Sequence, residues 1–200
     1  MLRLPCAAAG WSRASTAKEK AVGEERAGTS ARYLAPPVRG ESDAWGAESA
    51  AGGRRGTQRI VRAGEVVAPD RVADLLQVER GGRIVERRRI MYLDGEPCEL
   101  TDTYYPLEIA RGTGLAAAGR IRGGAIRLLA DLGYAGVRAQ EDVVARMPSE
   151  GERASLSLEA GEPVLELTRL TLSGDDRPIQ ADVMVMSPRG QNLRYEIRIG

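Results

Sequence analysis

The sequence predicts an α+β fold built on an antiparallel sheet, and three observations carry that prediction. About six or seven strand-length runs follow one another between residues 58 and 200. Most are joined by links of hairpin length, whereas parallel neighbours need longer crossovers. The helical patterns between them are short and few, three or four in number, which fits helices laid on an antiparallel sheet rather than a βαβ array.

Taken in order, Gln58 to Val67 reads as a strand. Pro69-Asp70 opens a short helix with Val72, Leu75 and Leu76 on one face. Arg83 to Leu93 is a strand, and Asp94-Gly95 is the strongest hairpin signal in the chain, because a two-residue turn needs positive φ at both positions. Glu96 to Tyr105 returns antiparallel, and Pro106 ends that strand and starts a helical turn. Gly124 to Leu132 is a helix carrying Ile126, Leu128, Leu129 and Leu132, with Gly133 placed to close it. Val137 to Met147 is a strand. Ser149 and Glu152 have the spacing of a capping box, and the helix they start runs to about Leu158. Pro163 to Leu172, Pro178 to Met186 and Leu193 to Ile199 are three further strands, separated by Ser173-Gly174-Asp175-Asp176 and Ser187-Pro188-Arg189-Gly190.

Composition changes near residue 57. Residues 1–57 hold nine Lys/Arg against six Asp/Glu and are rich in Ala, Gly, Ser and Arg, with no sustained period. Residues 1–30 are therefore expected to be disordered or a remnant segment. Residues 31–57 are expected to be an irregular linker in which Tyr33, Leu34 and Trp45 anchor onto a neighbouring surface, and residues 58–200 to be the folded domain.

The 200 residues contain no His, which excludes a Ser-His-Asp triad, a Cys-His pair and a His-based zinc site. Two cysteines, Cys6 and Cys98, make neither a disulfide framework nor a four-ligand metal site. No metal motif stands out and no cofactor is expected. The net charge of +1 gives no global reason to bind nucleic acid or an anionic membrane. No run of 18 apolar residues spans a bilayer, and the first residues lack a signal-length apolar stretch, so the cytoplasm is the expected location. All but Lys18 and Lys20 of the 29 cations are arginine. A GC-rich genome accounts for most of that excess; the alternative is that some of these guanidinium forks bind anions.

Within Arg87-Arg88-Arg89, strand alternation puts Arg87 and Arg89 on one face with Val85, Met91 and Leu93, and Arg88 on the other with Ile84, Ile90 and Tyr92. The pair is either an anion clamp or a solvated edge with paired surface charges. Arg122-Gly123-Gly124 precedes a helix and is either an anion cradle of free backbone N–H groups or an ordinary loop. Tyr104 and Tyr105 either line a pocket or fill the core. Met184 and Met186 share a strand face with Gln180 and Asp182, an arrangement that suits a ligand cavity or a core edge.

The run Val85-Glu86-Arg87-Arg88-Arg89-Ile90-Met91-Tyr92-Leu93-Asp94-Gly95-Glu96-Pro97, continuing to Pro106, resembles the UTRA effector-binding domain of HutC-type, GntR-family transcription regulators. Gly133 to Met147, Ala160-Gly161-Glu162-Pro163-Val164-Leu165 leading into Arg169, and Asp176-Arg177-Pro178-Ile179-Gln180 running to Leu193-Arg194-Tyr195 agree with it in order and spacing. Tyr33-Leu34-Ala35-Pro36-Pro37 resembles the linker of some members, so the match covers about residues 31–200.

The resemblance implies a chorismate-lyase-like fold: a curved antiparallel sheet with flanking short helices and a cleft for a small-molecule effector. It also implies a homodimer and no catalysis. Contact with DNA would be made only through a winged helix-turn-helix, which the first 30 residues do not resemble. Arg89 falls on the first arginine of the family's Arg-x-Arg strand motif, and Met91 falls where members that bind sugar phosphates have the second. Thr101 and Gln180 fall where those members often carry acidic residues. Arg122, Gly123 and Gly124 fall on a loop near the cleft, and Tyr104, Asp182 and Tyr195 complete the expected effector contacts. These departures imply an effector less polar than, or charged differently from, a phosphosugar. The rival readings are a chorismate-lyase-like enzyme and a truncated regulator without function.

Overall fold

The computed structural model describes residues 26–28, 44–189 and 191–193. Its framework is a six-stranded sheet in the order β2-β3-β4-β7-β6-β5, every neighbour antiparallel. The strands are β2 (Gly56–Val67), β3 (Arg83–Leu93), β4 (Glu96–Pro106), β5 (Arg138–Arg146), β6 (Val164–Leu172) and β7 (Pro178–Met186). Five helices lie between or before them: α1 (Ala44–Ala51), α2 (Asp70–Leu76), α3 (Leu107–Ala110), α4 (Gly124–Asp131) and α5 (Glu150–Ser155). Two short strands, β1 (Arg26–Gly28) and β8 (Gln191–Leu193), pair parallel with each other in a separate sheet.

Local signals set the order of the sheet. Asp94 (φ 55°) and Gly95 (φ 93°) form the expected two-residue turn between β3 and β4. The Asp94 carboxylate also accepts from the Arg55 N–H at 2.8 Å and the Arg54 Nε at 2.7 Å. After β4 the chain crosses to the far edge as β5, then returns through β6 to β7, which pairs with β4. Gly133 (φ 89°) closes α4 with two backbone bonds, from Gly133 N to Ala130 O and from Tyr134 N to Leu129 O. Ser149 and Glu152 form the reciprocal capping box at the start of α5.

The pairing register divides the side chains between two faces. On one, Ile84, Tyr104, Leu170 and Ala181 pack beneath Val72, Ala73 and Leu76 of α2. Leu156 and Leu158, after α5, cover Val164 and Val185 on the same face, with Leu100 beside them. On the other, Val85, Tyr105 and Ile179 pack under Ile109, Ala110, Leu115 and Leu129 at one end of the sheet. Trp45 of α1 packs with Met91, Leu93 and Cys98 at the opposite end, and Leu167, Met184 and Met186 form a third apolar group. A strip of polar side chains lies between these clusters.

One difference from the sequence reading stands out. The segment 31–57, expected to be irregular, contains α1, whose short apolar content is organised by Trp45; that residue is 5 % exposed and donates its indole N–H to the Tyr92 carbonyl at 3.3 Å. Within residues 1–30, Arg26–Gly28 form β1. The last strand is described only as Gln191–Leu193, and the predicted continuation to Ile199 lies outside the described residues.

Arg146 ties α5 to the sheet. It donates to both oxygens of Glu152, at 2.8 and 2.7 Å, and to Glu166 at 2.7 Å. That guanidinium, together with the Ser149 cap, holds the Glu152 carboxyl down at about 2, from an ordinary 4.5. A depressed carboxylate stabilises the fold above its unfolded pKa and loses that contribution as pH falls through its folded pKa. Comparison of the wild type with Glu152→Gln should therefore show a stability gap that is constant above about pH 5 and closes toward about pH 2. Chemical denaturation across that range is the check, and Ser149→Ala should cost about 1 kcal/mol at neutral pH.

Candidate functional site

The polar strip is a cross-strand row. Register places Arg87 of β3 opposite Thr103 of β4, Thr103 opposite Asp182 of β7, Asp182 opposite Arg169 of β6, and Arg169 opposite Glu141 of β5. Arg89 and Thr101 form the start of the next row, which continues into Met184 and Leu167. Arg87, Thr103, Asp182 and Arg169 are 4 %, 1 %, 4 % and 6 % exposed. Buried charges at such positions must be hydrogen-bonded or paired.

The partners are specific. Thr103 donates its hydroxyl to Asp182 Oδ1 at 2.7 Å and accepts from an Arg89 guanidinium N–H at 3.0 Å, so one hydroxyl relays between cation and carboxylate. Gln180 Nε2 donates to the other Asp182 oxygen at 2.7 Å. Arg169 Nε donates to Glu141 Oε1 at 2.5 Å. Thr101 donates to Glu99 Oε1 at 2.5 Å. Burial pushes the phenol of Tyr105 up, and the neighbouring Asp182 charge pushes it in the same direction.

Arg87 and Arg89 behave differently from Arg83 and Arg88 of the same strand, which pair with Glu65 and Asp102. Neither Arg87 nor Arg89 has a carboxylate at ion-pair distance among the described residues. Arg87 instead spends its guanidinium on main-chain carbonyls: Gly114 at 3.1 Å, Leu115 at 3.2 Å, Gly119 at 3.0 Å, and Ala117. Burial lowers its pKa, and the Arg89 charge acts in the same direction, a cost set against four acceptors on one loop. Arg87 thereby fastens the segment between α3 and α4 to the sheet. Arg89 reaches Gln58 Oε1 at 3.4 Å and Thr103, while its Nε is buried with no hydrogen-bond partner. A buried, unpaired guanidinium donor next to a repelling second cation is an electrostatic environment that favours an anion.

The structure thus brings together Arg89, Thr101, Gln180 and Asp182 from the expected contact set. It separates three others. Tyr104 lies on the opposite face, packed under α2, with its hydroxyl 3.4 Å from the Asp102 carboxylate. The cause is strand alternation: Thr101, Thr103 and Tyr105 share Arg89's face and Tyr104 cannot. Met91 is 5 % exposed and packed under Trp45, so it fills an apolar cluster rather than lining a site. Arg122 is exposed at the entry to α4. Gly123 (φ 79°) and Gly124 (φ 82°) supply the left-handed turn there, on Arg89's side of the sheet, because Ala125 and Leu128 pack into the cluster containing Val85 and Tyr105. Tyr195 lies outside the described residues. The solvated-edge alternative for Arg87 and Arg89 does not hold, since β3 is flanked by β2 and β4.

Thr103, Arg169 and Glu141 complete the row and were not singled out by sequence. The signal for Thr103 was present: accepting Thr101 on one face of β4 implies Thr103 there as well. Arg169 and Glu141 depend on the β6–β5 register, which no local motif specifies.

Replacing Arg87 by Met should leave four carbonyls without their donor. The expected result is a loss of about 3 kcal/mol in stability, with amide exchange accelerated in the 113–121 segment first. Chemical denaturation and hydrogen exchange read the two effects. Unchanged exchange in that segment would contradict the fastening role.

Comparison with known proteins follows the same outline. The UTRA domain model matches residues 51–189. An uncharacterized HTH-type transcriptional regulator of Streptomyces coelicolor is 32% identical over 167 residues; the match covers 80% of this chain, which spans 61% of that regulator's length. The effector domain of PhnF from Mycobacterium smegmatis superposes with a TM-score of 0.67 at 20% identity, over 82% of this chain and 98% of that one. The ligand-binding domain of a GntR-family transcriptional regulator from Bordetella bronchiseptica gives a TM-score of 0.65 at 24% identity, over 72% of this chain and 92% of that one. With its curved antiparallel sheet, its helices laid on both faces and a family match over most of its length, this chain belongs to the UTRA domain family.

Proposed function

We propose that the chain is the ligand-sensing and dimerisation part of a HutC-type transcription regulator, acting in the cytoplasm without catalysis. Its small-molecule effector would be read on the Arg89 face of the sheet. The supporting observation is the unpaired, buried Arg89 Nε at the head of a polar row, beside Thr101, Thr103 and the Gln180–Asp182 pair. DNA would be contacted through a winged helix-turn-helix; the described residues contain none. In this reading residues 58–200 form the sensing unit, α1 of the 31–57 segment packs onto it through Trp45, and 1–30 is the segment before it.

The chemistry of the face narrows the effector. Arg89 offers a guanidinium to a carboxylate or phosphate. The next positions along the strands are apolar: Met184, Met186 and Leu167 on the far side, and Met91 closed under Trp45. With Thr101 and Gln180 neutral, and Asp182 and Glu141 already accepting from partners within the row, few groups remain to recognise several sugar hydroxyls. An effector with one anionic end and a largely apolar body fits this lining better than a phosphosugar.

Calorimetric titration against a panel of small carboxylates, phosphates and hexosamine phosphates tests the assignment. The expected outcome is binding of an apolar-bodied anion, weakened by about tenfold or more in Arg89→Ala. Tight binding of a hexosamine phosphate alone, or an affinity indifferent to Arg89, would overturn it. Formation of 4-hydroxybenzoate from chorismate would overturn the non-catalytic reading.

A further inference from the structure

A third row of side chains follows the Arg89 row on the same face: Met91 of β3, Glu99 of β4, Met186 of β7 and Leu165 of β6. Glu99 is thus the diagonal neighbour of Arg89 across β3 and β4, and Met91 and Met186 beside it are 5% and 3% exposed. The two threonines of β4 set where these charges stand. Thr101 donates to the Glu99 carboxylate at 2.5 Å, which draws that group toward the Arg89 row. Thr103 accepts from the Arg89 guanidinium at 3.0 Å, which draws the cation one row further on. Both charges lean the same way along the strands, so they stay about two residues apart, roughly 7 Å. The hydrogen bonds of Arg89 go to Gln58 and Thr103, not to Glu99.

Charge balance decides what such a gap accepts. On the strands, the three rows carry Arg87, Arg89 and Arg169 against Glu99, Asp182 and Glu141, so their cations and carboxylates are equal in number. A ligand bearing only an anion would leave this largely buried face with one uncompensated negative charge, and charge taken out of water is costly unless it is paired. A ligand bearing an anion and a cation leaves the balance unchanged. We propose that Glu99 is the second charged contact of the effector site and that the effector is an α-amino acid with an apolar side chain. Its carboxylate meets Arg89 and its ammonium meets Glu99. Two charge-assisted hydrogen bonds of about 2.8 Å, with a two-carbon head between them, fit the gap. The apolar side chain then lies across Met184, Met186 and Leu167. Glu99 stands two residues from Thr101 on the same face, so it supplies a carboxylate where Thr101 is neutral. The inference rests on the Arg89 face being the effector site and adds to it the ammonium that separates an amino acid from a plain acid.

Calorimetric titration of the full chain tests it, with circular dichroism confirming that each variant is folded. The probes are leucine, methionine and phenylalanine, each beside the acid of the same carbon skeleton without the amine. At least one amino acid is expected to bind about tenfold or more tightly than its deaminated acid. E99Q, which keeps the shape and removes the charge, should erase that advantage and leave the plain acid's affinity unchanged or higher. T101V should shrink the advantage, because it releases the carboxylate from its position. R89A should weaken acid and amino acid alike. Amino acids that bind no better than their deaminated acids, or an advantage that survives E99Q, would overturn the proposal; the Arg89 reading stands in that case wherever R89A still weakens the plain acid. Binding of acid and amino acid that R89A leaves untouched would overturn both.

Discussion

Burial of the row from Arg87 to Glu141 is the constraint on which the rest of this structure depends. Charges taken out of water are tolerated only where each finds partners of suitable geometry. Arg87 finds its partners in the loop before α4, whereas Arg89, Thr103 and Asp182 meet only with β3, β4 and β7 in register, and Arg169 and Glu141 only with β6 and β5 in register. The apolar clusters above and below the row supply the driving force for burial. They are less selective, because Val, Leu and Met side chains accept many neighbours. The Thr103–Asp182–Gln180 contacts and the Arg169–Glu141 pair accept very few.

Arg87 and Arg89, two residues apart on one face, show how one residue type serves two ends. Arg87 turns to main-chain carbonyls and becomes part of the loop's architecture. Arg89 retains a donor that the protein does not use. The difference follows from what lies over each: the segment leading to α4 folds across Arg87, while Arg89 sits one row further along, beside Thr101. A sensing site needs this kind of incompleteness, since a ligand can shift an equilibrium only through contacts it makes better in one state than another.

Much of the fold was legible in local signals. Asp94-Gly95, Gly133 and the Ser149/Glu152 cap each impose a backbone geometry by their own chemistry, and each stands where its motif indicated. The site was legible only along single strands. Arg89, Thr101, Gln180 and Asp182 could be placed on faces by counting in twos. Tyr104 was grouped with them against that same rule, and alternation puts it under α2. Arg169 and Glu141 meet across β6 and β5, and Met91 is closed by Trp45 from a helix 46 positions earlier; long-range packing decides both, and no short pattern encodes it. The first helix was hidden for a related reason. Its composition is that of a linker, and Trp45 and the cluster it joins give it a place in the fold.

The proposed function has an anion completing Arg89. Arginine side-chain Nε–Hε resonances report this directly, because each guanidinium gives its own signal and hydrogen bonding shifts it. Titration of the full chain with an apolar carboxylate should move the Arg89 resonance first and farthest. Arg87, whose Nη1 and Nη2 are held by loop carbonyls, should change less, and Arg71 and Arg88 on the opposite face should stay still. Shifts confined to those opposite-face arginines, with Arg89 unmoved, would contradict the account.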